Sequence, residues 1–107
     1  MVQIENMDAV MLISSKDSPN AFFYIDPPYV GSQQGHYGGY TQKHFDNLLQ
    51  VLSELKGKFL LSSYPNETLT KYRKQHKWHT SDKDMPLSAS QKGGKRKIEC
   101  LTANYPI

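Results

Sequence analysis

Hydrophobic positions in this chain change period as it is read, and each change marks an element. Residues 21–25, Ala-Phe-Phe-Tyr-Ile, are apolar without interruption over the length of a strand, which predicts burial on both faces of a sheet. Phe45, Leu48, Leu49, Leu52 and Leu55 then recur at helical spacing, predicting a helix over 42–56 with Thr41 as its cap and Gly57 as its stop. Residues 58–63 read as the next strand. Upstream, 2–5 reads as a short strand, and Asn6 can cap a helix over 7–15 with Met7, Val10, Met11 and Ser14 on one face. Downstream, Asn66 caps a shorter basic helix to about residue 75, with Leu69 and Tyr72 turned inward. A strand over 77–81 and a loop over 82–94 follow. Residues 95–104 then alternate, with Ile98, Cys100 and Thr102 opposite Glu99, Leu101 and Ala103. The connections at 16–20, containing Pro19, and at 30–40, rich in Gly, Gln, His and Tyr, read as loops. The second is long and aromatic enough to be a working loop rather than a simple turn.

Strands alternating with helices predict an α/β fold with a largely parallel sheet. A chain of 107 residues has room for one such domain, spanning 1–107. No run of about 18 apolar residues is present to span a membrane, and the first residues lack the basic-then-apolar pattern of a secretory signal. The lone Cys100 excludes an internal disulfide and fits a reducing cytoplasm. The net charge of +3 conceals an asymmetry: residues 71–97 hold nine Lys and Arg against Asp82 and Asp84, while the rest of the chain is net acidic. A basic half suits a polyanion such as DNA; a solvated helix and loop would look the same. His76 and His79, three apart, would face opposite ways on a strand and so do not suggest a metal site.

The chemistry is concentrated where the first long apolar run stops. Residues 22–29 read Phe-Phe-Tyr-Ile-Asp-Pro-Pro-Tyr. Pro27 and Pro28 have no amide hydrogen to continue a ladder, and Asp26, preceding a proline, is held extended. A carboxylate and an aromatic ring therefore emerge at the carboxyl end of a buried strand, where open α/β sheets place their ligand crevices. Asp and Pro also serve in ordinary turns that do no chemistry.

Asp26-Pro27-Pro28-Tyr29 resembles the catalytic signature of amino-group DNA methyltransferases, and its surroundings resemble the Dam-type adenine-N6 branch. Residues 59–64, Phe-Leu-Leu-Ser-Ser-Tyr, are similar to the strand after the signature helix of that family. Residues 88–101, a Ser-rich and basic stretch with Gly93-Gly94 leading to Ile98-Glu99-Cys100-Leu101, are similar to its last loop and strand. The resemblance extends from about Val2 to Tyr105 but covers only the C-terminal portion of such an enzyme. It implies half of a doubly wound, Rossmann-like sheet of the S-adenosylmethionine-dependent methyltransferase type, ending in an antiparallel hairpin strand. In that arrangement the strands starting at Ala21, Lys58, Lys95 and Lys77 lie side by side in this order. The strand at 2–5 would be parted from that at 21–25 by absent strands, leaving the latter with an open edge that invites self-association or an N-terminal partner half.

The resemblance also implies roles. Asp26 and the Pro27 carbonyl would accept the amino hydrogens of a flipped adenine, with Pro28 fixing the turn and Tyr29 stacking on the base. Asp26 would also border the S-adenosylmethionine cofactor. Tyr37 is a candidate to close over the base, whereas Tyr40, just before a helix cap, is expected to pack. Lys92, Lys95, Arg96 and Lys97 fit phosphate contacts to DNA, or else a solvated hairpin tip. Family members hold the cofactor mainly through a Phe-x-Gly-x-Gly-like turn, and no such turn occurs in this sequence. Gly38-Gly39 and Gly93-Gly94 are paired glycines in polar stretches. The expectation is an adenine-specific DNA methyltransferase portion that is inactive alone; the alternatives are a DNA-binding or interaction remnant without catalysis.

Overall fold

Three of the apolar segments become adjacent parallel strands, and a polar hairpin completes the sheet. The structure is a computed structural model describing residues 2–4, 9–28, 30–31, 39–86 and 96–107, with the backbone alone at 2–4, 85–86 and 96–97. Its elements are β1 (Val2–Ile4), α1 (Ala9–Lys16), β2 (Phe22–Ile25), α2 (Gln42–Ser53), β3 (Lys58–Ser63), α3 (Glu67–His76), β4 (His79–Pro86) and β5 (Arg96–Ala103). The sheet is five-stranded in the order β1-β2-β3-β5-β4. β1, β2 and β3 are mutually parallel, and β5 lies antiparallel to both β3 and β4. This is a mixed α/β fold compatible with part of a methyltransferase sheet, and its β2-β3-β5-β4 order is the one the resemblance implies.

β1 differs from expectation. It pairs directly with β2, Val2 level with Phe23 and Ile4 level with Ile25, so the apolar β2 has partners on both sides. The open edge expected on β2 is absent; an unsatisfied row of amides and carbonyls along a buried strand takes the nearest parallel partner.

The helices gather on one face. Ala9 and Ile13 of α1, Phe45, Leu48, Leu49 and Leu52 of α2 and Leu69 of α3 form one buried cluster with Phe23, Ile25, Phe59, Leu61 and Cys100 of the sheet. In α1 the buried residues are Ala9 and Ile13; of the expected face of Met7, Val10, Met11 and Ser14, Val10 packs partly buried against the core, Met11 is 75% exposed and Ser14 is exposed, while Met7 lies outside the described residues. Residues 9–13 are all apolar, so their pattern defines no face and packing decides. α2 stops at Ser53, short of the expected 56, and Leu55 packs on the core from the turn beyond.

β4 is longer than expected, taking residues 82–86 that read as loop. Its composition is polar because it is an edge strand, and backbone pairing with β5 rather than an apolar stripe holds it, down to Pro86 level with Arg96. Arg73 ties it to the helix layer. The guanidinium makes paired bonds to Asp82 at 2.9 and 3.1 Å, donates to Thr102 Oγ1 at 2.9 Å and reaches the Leu101 carbonyl at 3.3 Å. At the opposite end of the sheet, Asn104 acts as a substitute strand residue: its side chain accepts from the Phe59 amide at 3.0 Å and donates to the Gly57 carbonyl at 2.9 Å. Asp17 accepts from the amides of Lys56 and Gly57 at 2.8 and 2.9 Å, closing the α2–β3 turn against the segment before β2.

Two outcomes test this packing. A Cβ at Gly57 would stand 2.5 Å from the Ala21 carbonyl oxygen and 2.7 Å from that of Ser18, both backbone atoms. Gly57→Ala is therefore expected to lower stability by about 1–3 kcal/mol, read from the midpoint of denaturant unfolding. The Arg73 guanidinium holds the Asp82 carboxyl below its ordinary value, chiefly by hydrogen bonding. A depressed folded pKa means that the contribution is present at neutral pH and is lost as pH falls through the folded value. With the Asp82 side chain 43% exposed, the ion pair contributes no more than about 1 kcal/mol. Arg73→Met should therefore lower stability at neutral pH and flatten its decline below about pH 4, measured by urea titrations at several pH values.

Candidate active site

β2 ends because the residues after Ile25 cannot extend it. Pro27 and Pro28 offer no amide hydrogen, so pairing with β3 stops at Ile25–Leu61 and the chain leaves the sheet. β3 continues past Leu61 to Ser62 and Ser63, which pair with Leu101 and Cys100 of β5. Asp26 is exposed at the carboxyl edge of the parallel strands, and Pro27 and Pro28 are half-buried beside it. Ser62 Oγ donates to Glu99 Oε2 at 3.3 Å, whereas the Oγ of Ser63 is buried without a hydrogen-bond partner.

The same edge carries the amino ends of two helices, because α2 follows β2 and α3 follows β3. Thr41 caps α2, its hydroxyl accepting from the His44 amide at 3.3 Å while His44 Nδ1 accepts from the Thr41 amide at 3.0 Å. Asn66 caps α3 through bonds from the amides of Thr68 and Leu69. Gln42 joins the two caps: its amide donates to Asn66 Oδ1 and Thr68 Oγ1, both at 3.2 Å, and Asn66 donates back at 2.9 Å. Two aligned helix dipoles thus place partial positive charge at the edge where Asp26 emerges.

The segment after the signature is closed at its base. The Gly31 amide donates to the Tyr40 carbonyl at 2.7 Å, with Gly31 at φ 93° and Gly39 at φ 66°, backbone that favours glycine. Tyr40 packs as expected. It is 3% exposed, tilts against His44 at 5.4 Å, and its burial raises the phenol pKa.

Of the residues singled out in the sequence, Asp26, Pro27 and Pro28 stand together at this edge. Tyr29, Tyr37, Lys92 and Lys95 lie outside the described residues. Arg96 and Lys97 open β5, paired with Pro86 and Met85. Cys100 is level with Ser63, so the β4–β5 hairpin runs about 13 Å beyond the end of β3, at the same edge as Asp26. His76 ends α3 instead of lying in a strand, and stacks on Tyr72 and Trp78 at 5.6 and 5.3 Å. Among the described residues, no group of three or more His, Cys, Asp or Glu gathers, and no helix is long and apolar enough to cross a membrane. The tie made by Gln42 and the Arg73 network leave no local signal in the sequence, since each joins residues far apart in it, and the burial of the Ser63 hydroxyl is likewise a tertiary effect. Only the cap residues Thr41 and Asn66 left a local signal.

The described neighbours of Asp26 do not fit S-adenosylmethionine by themselves. The strand beside β2 is β1, and the sequence following it, Glu5-Asn6-Met7-Asp8, has no glycine to let backbone approach a nucleoside. A cavity of about 290 Å³ lies elsewhere, between α1 and α2, lined by Val10, His44, Asn47, Gln50 and Val51.

No curated protein matches the chain in sequence. Residues 1–86 match the family described as D12 class N6 adenine-specific DNA methyltransferase, a match that includes β1 to β4 and the Asp-Pro-Pro end of β2. With most of its length matched and Asp26-Pro27-Pro28 at the carboxyl edge of its parallel strands, the chain belongs to the D12 class of N6 adenine-specific DNA methyltransferases.

Proposed function

We propose that this chain supplies the amino-group end of an adenine-N6 DNA methyltransferase site and acts only when a second segment supplies the cofactor end. The observation that carries the reading is the exit of Asp26-Pro27-Pro28 from a parallel strand at the edge where two helix amino ends converge. Adenine's exocyclic nitrogen is a poor nucleophile because its lone pair is delocalised into the ring. Accepting its two hydrogens, by the Asp26 carboxylate and the Pro27 carbonyl, would favour the pyramidal form in which the nitrogen lone pair is localised and available as a nucleophile. The base reaches these acceptors only when flipped out of the duplex, and the Tyr29 ring offers it a stacking surface worth roughly 1–3 kcal/mol. In this family S-adenosylmethionine is the general methyl donor, and the residues that would hold it come from outside the described set. The basic residues Lys92, Lys95, Arg96 and Lys97 contact phosphates of the same DNA, and the setting is cytoplasmic.

A second reading, a DNA-binding remnant without catalysis, is favoured by one observation: β1 pairs directly with β2, where the family resemblance implies intervening strands.

Methyl transfer to an adenine-containing duplex decides between them. The chain alone should transfer no methyl group, and addition of an N-terminal half carrying the Gly-rich turn should restore transfer. In that reconstituted enzyme, Asp26→Ala should lower turnover by at least about 100-fold with circular dichroism unchanged. Tyr29→Ala should be severe and Tyr29→Phe mild, since stacking needs the ring and not its hydroxyl. Micromolar binding of S-adenosylmethionine by the isolated chain in calorimetry would overturn the half-site reading, and near-normal turnover of Asp26→Ala would remove Asp26 from the mechanism.

DNA binding by the chain is expected to be weak and indifferent to sequence, because Lys and Arg contacts to phosphate carry no sequence information. Raising salt from about 50 to 200 mM should cut affinity about 10-fold or more in gel-shift titrations. Neutralising Lys95, Arg96 and Lys97 together should flatten that slope.

A further inference from the structure

Gln42 is the first residue of α2, yet the cap of that helix makes no use of its side chain, because Thr41 and His44 complete the capping box between them. The Gln42 amide is directed across to α3 instead. Its Oε1 accepts from Asn66 Nδ2 at 2.9 Å. Its Nε2 donates to Asn66 Oδ1 and Thr68 Oγ1, each at 3.2 Å, and within α2 to Asp46 Oδ1 at 2.7 Å. The reciprocal amide pair holds Asn66 Oδ1 toward the Thr68 and Leu69 amides that it caps. Leu48, Leu49 and Leu52 of α2 share the buried cluster with Leu69 of α3, but apolar contact is non-directional and sets no level between two helices. The amide pair is directional and half-buried, and it joins first turn to first turn.

We propose that Gln42 is a positioning residue for the adenine-binding edge: by tying the first turn of α2 to the cap of α3, it sets where the segment after the Asp-Pro-Pro-Tyr signature is pinned. The connecting contacts are few. Asn66 follows the end of β3 by three residues, which keeps it close to its anchor in the sheet. Gln42 joins α2 to Asn66. Tyr40, buried two residues before Gln42, accepts from the Gly31 amide at 2.7 Å. Gly31 in turn stands two residues past Tyr29 in the chain. The signature is thus tied to the sheet from both sides. One tie is direct, where Pro27 and Pro28 leave β2; the other runs through Gly31, Tyr40, Gln42 and Asn66 to the end of β3. Accepting the amino hydrogens at Asp26 depends on the first tie, and stacking of the flipped base on Tyr29 depends on the second. The inference rests on the half-site reading and separates two tasks within it. Loss of the Gln42 amide loosens the hold on the base and leaves the acceptors of its amino group in place.

Amide hydrogen exchange in the 107-residue chain measures the link without catalysis. Gln42→Ala should lower the protection of the Gly31 amide at least about 5-fold. The Phe59 amide, bonded to Asn104 at the other end of the sheet, should be unchanged and so report that the fold is intact. Gln42→Glu keeps the length of the side chain but, when ionised, has no hydrogen to offer Asp46, Asn66 or Thr68. Its loss of Gly31 protection, relative to the wild type at the same pH, should be full at neutral pH. It should be relieved as pH falls through about 4, where the introduced carboxyl takes up a proton. A side chain that served only to fill space would show no such pH profile. In the reconstituted methyltransferase, Gln42→Ala should raise the KM for DNA about 10-fold and leave kcat within about 3-fold. A Gly31 amide as protected in Gln42→Ala as in the wild type overturns the proposal. So does a Gln42→Glu chain indifferent to pH, and so does a kcat that falls while KM stays the same. A reconstituted wild type that transfers no methyl group overturns the half-site reading instead, and the exchange result still decides whether Gln42 holds the segment.

Discussion

Parallel pairing of β2 with β3 is the constraint from which the rest of the arrangement follows. A parallel neighbour obliges the chain to return to its starting edge before the next strand, and α2 is that return. The preferred hand of such crossovers sends successive helices to one face, which is where α1, α2 and α3 pool their buried side chains with Phe23, Ile25, Phe59 and Leu61. It also fixes polarity. Every helix begins where a parallel strand finishes, so the carboxyl edge receives the Asp26 carboxylate and the positive ends of α2 and α3 together. The Gln42–Asn66 bonds hold those two ends in one relation, and α2 and α3 meet the edge as a unit.

The sequence made the parallel part of this fold legible and the antiparallel part much less so. β2 and α2 announce themselves because burial on two faces and burial on one stripe leave different periods in the chain. Thr41 and Asn66 stand at their caps for local chemical reasons that need no tertiary information. The far half of β4 left no such trace. His79, Asp82, Lys83 and Asp84 are exposed on an edge strand, and the strand exists because β5 presents amides and carbonyls to it. The inward face of α1 was illegible for the opposite reason, too many apolar residues in succession to point in any direction. The pairing of β1 with β2 depends on which strands are present to compete for that edge, which no local pattern records.

The candidate site divides along the same line. Asp26, Pro27 and Pro28 were readable because a strand that ends in two prolines next to a carboxylate is a local statement about backbone donors. The buried Ser63 hydroxyl was not, since its burial depends on tertiary neighbours such as β5, where Ser63 pairs with Cys100.

Asn104 adds a consequence for the end of the chain. By bonding to the amide of Phe59 and the carbonyl of Gly57, one side chain pins the close of β5 to the opening of β3. The alignment of the last strand is thereby fixed at the end remote from the β4–β5 turn. The anchor between β5 and β3 thus lies outside that turn. The sheet that presents Asp26 is thereby held in register from the end remote from residues 87–95.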